Sequence, residues 1–329
     1  MAAQWTVPDG LRTAPPRLPV EGVLPSFAGA PADLRGKVVL VSFWTYTCVN
    51  WLRQLPYLRA WAHKYAAHGL VVVGVHTPEF EFEASTGNLR RAVRELGVDY
   101  PIVADDDYAI WRAFGNSAWP ALYLADAEGR IRRHHLGEGE YQQTEAAIQA
   151  LLTERGSAGF DPAPVKVTAQ GIEAPADWTT LRTAETYTGY QRTAYFASPG
   201  GLVPQRQHGY RVPADLAVDS WALAGDWIAQ PQAVVSAAPG GRMAYRFHAR
   251  DLHLVLAPAT PGVPLRFCVR LDGEAPGPAH GLDVDAEGHG VLVEPRLYQL
   301  IRQPGDIADR TFDITFADAG AGAYAFTFG

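Results

Sequence analysis

The 329-residue sequence predicts an α/β domain followed by an all-β domain. Its first half alternates short apolar runs with helix-like patterns, whereas its second half has short alternating runs separated by glycine and proline. The length suits two domains better than one. Residues 156–177 are rich in alanine, proline and glycine. We therefore predict a first domain at 1–160, a linker at 161–177 and a second domain at 178–329.

The first half begins with a βαβ unit. Lys37–Trp44 and Leu70–His76 are continuous apolar runs, as expected of buried strands. Between them, Asn50–His68 has apolar residues at three- and four-residue steps, which predicts an amphipathic helix. Gly69 ends this helix, and Pro56 should kink it because proline cannot donate a backbone hydrogen bond.

The remaining patterns of the first half complete the order βαβ–α–ββα, which is the thioredoxin arrangement. They are a helix near Leu89–Leu96, an extended piece at Ile102–Val103, a short helix at Tyr108–Phe114, a hairpin of Ala121–Ala125 and Arg130–Leu136, and a final helix at Tyr141–Leu152.

The second half alternates apolar and polar residues along several short strands. Met243, Tyr245 and Phe247 lie on one face, and the alternation changes parity at Arg250–Asp251, which predicts a β-bulge. Several such strands with regular turns predict a sandwich or jelly roll.

Composition excludes several classes of protein. A net charge of −7 argues against a nucleic-acid partner, and no apolar run approaches the length of a membrane span, so we expect no membrane insertion. Two cysteines are too few for a disulfide scaffold or a cysteine-rich zinc site. His134 and His135 point to opposite faces of a strand, so we expect no metal, and no motif predicts a cofactor. The first ten residues show no secretory signal, which favours the cytoplasm.

The informative stretch is the junction between the first strand and the first helix. Cys48 lies there, at the expected helix N-terminus, where unpaired N–H groups and the helix dipole stabilise a thiolate, the attacking form of cysteine. Trp119-Pro120 precedes a later strand, and a cis proline at this position would present its backbone to a substrate beside the thiol.

Several motifs resemble the thioredoxin-like region of DipZ-type cytochrome c biogenesis proteins, within the TlpA-like redoxins. These are FWTYTCVNW, GLVVVGVHTPEFEFE, AFGNSAWPALYLAD and GEGEY, followed in the second half by ETYTGY, FHARDLHLVL, LDGEAPGPAHGLDVD, RLYQLIRQ and FDITFADAGAGAYAFTFG. The resemblance implies that Cys48 is the attacking cysteine, that Pro120 is the cis proline and that Pro56 kinks the helix. It also implies a jelly-roll tail like a carbohydrate-binding module.

Two features depart from the family pattern. The family has a Cys-x-x-Cys pair, but Trp51 occupies the fourth position here, so this motif cannot form a local disulfide. The family region is also fused to a membrane-embedded electron carrier and faces outside the cytoplasm. An extracytoplasmic location is therefore the alternative.

Three interpretations of Cys48 remain open. In the first, Cys48 is a monothiol that forms a mixed disulfide or a sulfenic acid, which an external thiol resolves. In the second, the site has lost its redox activity and the fold is used for binding. In the third, Cys48 is an unreactive buried cysteine. Thr45-x-x-Cys48 also matches part of the peroxiredoxin motif, although Val41 stands where that motif has proline.

We assign supporting roles to the residues around Cys48. Thr45, Thr47, Val49, Asn50 and Trp51 would shape access to it, Trp119 would present backbone beside Pro120, and Glu79 would accept a proton. Trp51 either caps the thiol or lies on the solvent face of the helix. Glu81 and Glu83 form an exposed acidic loop or, if that loop folds over Cys48, supply a further proton acceptor. Cys268 is either an unreactive strand cysteine or a distant resolving thiol.

The expected partners are protein or small-molecule disulfides and thiols, and peroxide as a further substrate. Aromatic residues of the tail are candidates for a sugar-binding platform, namely Trp178, Tyr187, Tyr190, Trp221 and Trp227. The rival to a thiol oxidoreductase is a redox-inactive thioredoxin-fold protein that binds its ligand in the β domain or at the domain junction.

Overall fold

The computed structural model describes residues 34–329 and divides the chain into two compact units. The first unit ends at Thr168 and the second begins at Ala169, a division inside the segment 161–177 for which we predict a linker. The first ten residues, on which the prediction about a secretory signal rests, lie outside the described part of the chain.

The first unit is built on a five-stranded sheet in the order β3-β2-β1-β4-β5, with β1 to β3 parallel and β4 and β5 antiparallel. Its strands are β1 (Val38–Trp44), β2 (Leu70–His76), β3 (Ile102–Ala104), β4 (Ala121–Ala125) and β5 (Ile131–Leu136). Its helices are α1 (Val49–Tyr65), α2 (Thr86–Glu95), α3 (Ala109–Ala113) and α4 (Tyr141–Glu154). This is the predicted thioredoxin-like α/β arrangement.

Local signals explain where the helices begin and end. Pro56 lies inside α1, which is followed by one 3₁₀ turn and then by Gly69, whose φ of 97° is the left-handed conformation that glycine adopts most easily. Helix α2 begins earlier than predicted because the hydroxyl of Ser85 accepts the backbone N–H of Asn88 and caps the first turn.

The carboxylate of Asp105 organises the segment after β3. It accepts the backbone N–H groups of Ile110 and Trp111, each at 2.8 Å, and the hydroxyl of Thr77 at 3.1 Å. Asp105 therefore caps α3 and ties that helix to the residue after β2. Helix α3 is shorter than the predicted Tyr108–Phe114 because it begins only at Ala109.

The second unit consists of two antiparallel sheets that share β8. One sheet has the order β13-β12-β15-β10-β8, and the other has β8-β9-β16-β11-β14 with β6 on β16 and β7 on β8. The strands are β6 (Thr186–Tyr187), β7 (Gln207–Tyr210), β8 (Ser220–Ala229), β9 (Val234–Ser236), β10 (Arg242–Phe247), β11 (Asp251–Pro258), β12 (Leu265–Leu271), β13 (His289–Leu292), β14 (Arg296–Arg302), β15 (Arg310–Phe316) and β16 (Ala321–Phe328).

Strand β8 passes from one sheet to the other at Gly225. Residues up to Ala224 pair with β10, and those from Gly225 onward pair with β7 and β9. Gly225 has a φ of 81°, which allows the change of direction. Aromatic rings from the two sheets meet in one core, as in the Tyr245–Phe326 contact at 4.9 Å. The all-β second domain is therefore a sandwich, and its jelly-roll topology stays a prediction.

The predicted bulge at Arg250–Asp251 is wrong. Strand β10 ends at Phe247 and β11 begins at Asp251, and the two strands belong to different sheets. The change in parity therefore marks a crossover between sheets. The alternating residues Met243, Tyr245 and Phe247 are buried as predicted.

The Asp105→Ala variant should lower the free energy of unfolding of the first domain by about 2 kcal/mol, because a buried carboxylate that accepts three hydrogen bonds is lost. Urea denaturation followed by tryptophan fluorescence measures this. Asp106→Ala is the control. The side chain of Asp106 is mostly exposed, and the little burial it has, with the negative charges of Asp105 and Asp107, raises its pKa. Its charge is therefore unfavourable in the folded state, and removing it should not lower the free energy of unfolding. Equal losses in both variants would contradict the capping role of Asp105.

Candidate functional site

Cys48 occupies the N-cap position of α1, in the turn that leaves β1. Its backbone N–H donates to Thr45 O at 3.3 Å, and its carbonyl accepts the N–H of Leu52 at 3.0 Å. The thiol is half-buried. The first N–H groups of a helix have no intrahelical partner, and α1 is 17 residues long with no acidic residue in its first turn. This end of α1 therefore favours a negative charge on sulfur.

The Trp119–Pro120 peptide bond is cis and lies at the same edge of the sheet as Cys48. Phe43 pairs with Ala121 in the antiparallel β1–β4 register. Trp44, the last residue of β1, therefore lies beside Pro120, the residue directly before β4. Trp119 Nε1 also donates to Thr77 O at 3.0 Å, while Thr77 N donates to Trp44 O at 3.0 Å. The ends of β1, β2 and β4 are thus connected around the cysteine turn.

Trp51 lies in the interior of the domain with no exposed surface. Its ring stacks on that of Trp44, with centroids 4.2 Å apart and an interplanar angle of 23°. The solvent-facing alternative for Trp51 is therefore wrong, because the side chain fills core space at the end of β1. A steric cap over the thiol stays a prediction.

His76 continues this aromatic cluster on β2. Its ring meets Trp44 edge-on at 4.9 Å and stacks against Tyr46 at 5.7 Å. Burial lowers the pKa of His76 to about 3, so the ring is neutral at physiological pH. His76 is thus a buried core histidine, and neither ring nitrogen has a hydrogen-bond partner among the described residues.

Glu83 is the buried carboxylate of the site. It belongs to a 3₁₀ turn, Glu81–Ala84, and its Oε1 accepts the hydroxyl of Thr47 at 2.6 Å. Its Oε2 accepts the backbone N–H groups of Glu79 at 2.6 Å and Phe80 at 2.9 Å. Burial raises the pKa of Glu83 to about 7, against the opposing effect of the nearby Thr45 and Thr47 hydroxyls and the Phe80 N–H.

The interpretation of Glu83 as part of an exposed acidic loop is therefore wrong, whereas Glu81 is exposed as expected. Sequence reasoning favoured the exposed loop over a proton acceptor for Glu83 because its burial depends on the fold of the whole loop. A local signal did exist: Glu83 stands three residues after Phe80, the spacing at which a glutamate reaches back to cap a helix start.

The other predicted site residues lie close to this arrangement in the chain. Thr45, Thr47 and Val49 are buried, and Asn50 is half-buried. Glu79 is also half-buried, and its backbone N–H donates to the carboxylate of Glu83. The structure brings Thr47 and Glu79 together through Glu83. Their roles in access and in proton transfer, like those of Cys48 and Pro120, stay predictions.

Comparison with protein families accounts for both domains. Residues 30–134 match the AhpC/TSA family, and residues 183–329 match the thioredoxin like C-terminal domain. Each domain is thus similar to a known family, and the first has the thioredoxin-like fold. The resemblance to DipZ-type proteins is confirmed by Protein DipZ of Mycobacterium tuberculosis, which is 36% identical over 247 residues. This match covers 74% of the chain, and the chain spans about a third of that relative, 35% of its length.

Two further relatives match the thioredoxin-like domain. Thiol-disulfide oxidoreductase YkuV of Bacillus subtilis is 28% identical over 141 residues, covering 40% of this chain and 95% of YkuV. The solution structure of a thioredoxin-like protein in the oxidized form is 25% identical, covers 42% of this chain and 99% of its own, and has a TM-score of 0.38.

Cys268 lies half-buried on β12, in the second domain. Its neighbours Phe267 and Val269 point into the core, as the alternation predicts. Arg266, two residues before Cys268 on the same strand, pairs with Asp318 at 2.9 Å. A resolving role for Cys268 stays a prediction.

The predicted sugar platform is wrong for two of its five residues. Trp221 and Trp227 are fully buried in the sandwich core, so they cannot stack on a ligand. Trp178 is 52% exposed, whereas Tyr187 lies beneath the guanidinium of Arg192, which is 3.4 Å from the ring centroid.

No described residue group has the composition of a metal site. Among residues 34–329, no helix is long and apolar enough to cross a membrane.

Glu83 should make stability fall as pH rises. Its pKa is about 7 when folded and about 4.5 when unfolded, so between these values the folded chain binds more protons. The free energy of unfolding is then lost by at most about 1.4 kcal/mol per pH unit as pH rises from about 5 to about 7. In the Glu83→Gln variant, the free energy of unfolding measured by urea denaturation should change less with pH over this range.

Glu81→Gln, in the same turn but exposed, is the matched control and should keep the wild-type slope. A Glu83→Gln slope equal to that of the wild type would show that Glu83 is ionised throughout this pH range.

Proposed function

We propose that this protein exchanges disulfides through the single thiol of Cys48, with a second thiol supplied by another molecule. The observation that carries the proposal is the position of Cys48 at the N-terminus of α1. At this edge of the sheet, the cis Pro120 directly precedes β4. The similarity to YkuV, which is named a thiol-disulfide oxidoreductase, supports the same chemistry.

In the first step, the Cys48 thiolate attacks one sulfur of a substrate disulfide. A new S–S bond joins Cys48 to that half of the substrate, the original S–S bond breaks, and the other half leaves as a thiolate that takes up a proton. In the second step, the thiolate of an external thiol attacks the mixed disulfide on the substrate sulfur. Cys48 is released as a thiolate, and the substrate half leaves in a disulfide with the external thiol.

Glu83 is suited to the proton transfer that accompanies these steps. Its carboxyl group bonds to Thr47, the residue before Cys48, and its pKa of about 7 allows both protonation states near neutral pH. Glu79, for which the same role is predicted, donates its backbone N–H to Glu83.

The external thiol follows from position 51. A second cysteine there would resolve the mixed disulfide locally, but Trp51 is buried against Trp44 and carries no thiol. We propose a protein or low-molecular-weight disulfide as the substrate and a low-molecular-weight thiol as the resolving partner.

Disulfide exchange is favoured over peroxide reduction by the environment of Thr45. A peroxide site would need that hydroxyl exposed beside the thiol, whereas Thr45 is fully buried. The other alternative is a redox-inactive binding protein, in which Cys48 would be chemically inert.

The pH dependence of iodoacetamide alkylation at Cys48 separates these alternatives. In a Cys268→Ser background, intact-mass measurement should give a half-maximal rate well below pH 8.5, the approximate value for a free cysteine, because the N-terminus of α1 stabilises the thiolate. Cys48→Ser/Cys268→Ser gives the background. No reaction in the folded protein, or a midpoint at or above pH 8.5, would contradict the proposal and favour a binding protein.

A further inference from the structure

Arg53 and Glu138 form an ion pair inside the thioredoxin-like domain. Arg53 Nη1 and Glu138 Oε2 are 3.5 Å apart, and the two side chains are only 2% and 6% exposed. Removing two charges from water is costly, and an apolar pair of similar size would serve packing equally well. The position of this pair in the fold therefore calls for an explanation.

One end of the pair reaches the first turn of α1. Arg53 Nη1 also lies 3.4 Å from Oδ1 of Asn50, which is two residues beyond Cys48. Arg53 itself belongs to the second turn of α1, and its buried guanidinium therefore contacts the turn that carries the thiol.

The other end reaches the strand that carries the cis proline. Gly137, directly before Glu138, donates its backbone N–H to the carbonyl of Pro120 at 2.7 Å. The adjacent Leu136 pairs with Ala121 in the β4–β5 register. The ion pair thus connects the start of α1 with the loop that is hydrogen-bonded to Pro120.

The groups that face Glu138 come from three elements. Besides Arg53, Tyr57 of α1 lies near it, and the hydroxyl of Tyr141 on α4 donates to Glu138 Oε1 at 3.3 Å. A ring nitrogen of His135 on β5 is 3.3 Å from the Glu138 carbonyl. Burial raises the pKa of Glu138 to about 7, against the opposing effect of Arg53 and Tyr141.

We propose that the Arg53–Glu138 ion pair is a positioning element for disulfide exchange, which holds the first turn of α1 in register with the cis-proline loop. It rests on the proposed function, because exchange requires the sulfur under attack to lie in line with the Cys48 thiolate while the substrate backbone lies along Pro120. Neither residue touches the reacting atoms. Alkylation by a small reagent uses the thiol alone and does not need this alignment.

The test compares two reactions of Cys48 in the full chain with Cys268→Ser. One is alkylation by iodoacetamide, and the other is exchange with a short cysteine peptide blocked by thionitrobenzoate, whose release is followed by absorbance. Glu138→Gln should slow exchange at least about tenfold and leave alkylation within about twofold. In the wild type, the ratio of exchange to alkylation should rise from about pH 6 to about pH 8 as Glu138 ionises, and it should be flat in Glu138→Gln.

Two further variants complete the design. Glu154→Gln removes a carboxylate from the exposed Arg132–Glu154 pair of the same domain and should leave both reactions within about twofold. Arg53→Lys keeps the positive charge but lacks the planar guanidinium whose Nη1 contacts both Glu138 and Asn50, so it should slow exchange selectively. It replaces Glu138→Gln as the test if that variant does not fold.

The outcomes separate this proposal from the function on which it rests. If the wild type exchanges and Glu138→Gln exchanges equally fast, or if both reactions of that variant slow in proportion, the positioning role is overturned and the function stands. A wild-type Cys48 that is alkylated but does not exchange overturns both.

Discussion

The antiparallel pairing of β1 with β4 is the constraint on which the site depends. This register places the end of β1, where the chain turns into α1, beside the start of β4 at Pro120. The turn then needs only four residues to bring Cys48 to the N-terminus of a long helix. A one-residue slip would move the end of β1 away from Pro120, so the register of this pair and the position of the thiol are linked.

Two buried carboxyl groups are connected to this turn, one directly and one through Arg53. Glu83 bonds to Thr47 immediately before the cysteine, and Glu138 reaches the first turn of α1 through Arg53. In both, burial favours the neutral acid, and hydrogen bonds or a cation oppose it, so each pKa comes to about 7. The domain thus keeps groups that change charge near neutral pH beside a thiol, at some expense in stability at high pH.

The sequence predicts the fold and the position of Cys48 because both follow from local patterns: continuous apolar strands, a helix period and a cysteine at their junction. It does not predict which way Trp51 points, since that depends on the space beside Trp44. The burial of Glu83 and the Arg53–Glu138 pair were not predicted for the same reason, since Thr47 and Arg53 are distant from their partners in the chain. In the second domain, alternation revealed the strands but not the crossover between β10 and β11, because a change of sheet and a bulge alter parity alike.

The most direct test of a single-cysteine exchange is to trap its intermediate. The Cys268→Ser protein is incubated with a symmetrical peptide disulfide and its intact mass is measured before and after a low-molecular-weight thiol is added. A single-thiol mechanism predicts an adduct of one peptide on Cys48 that persists, because Trp51 offers no second sulfur, and that disappears when the thiol is added. The absence of an adduct on the folded protein, or an adduct that the added thiol does not remove, would contradict it.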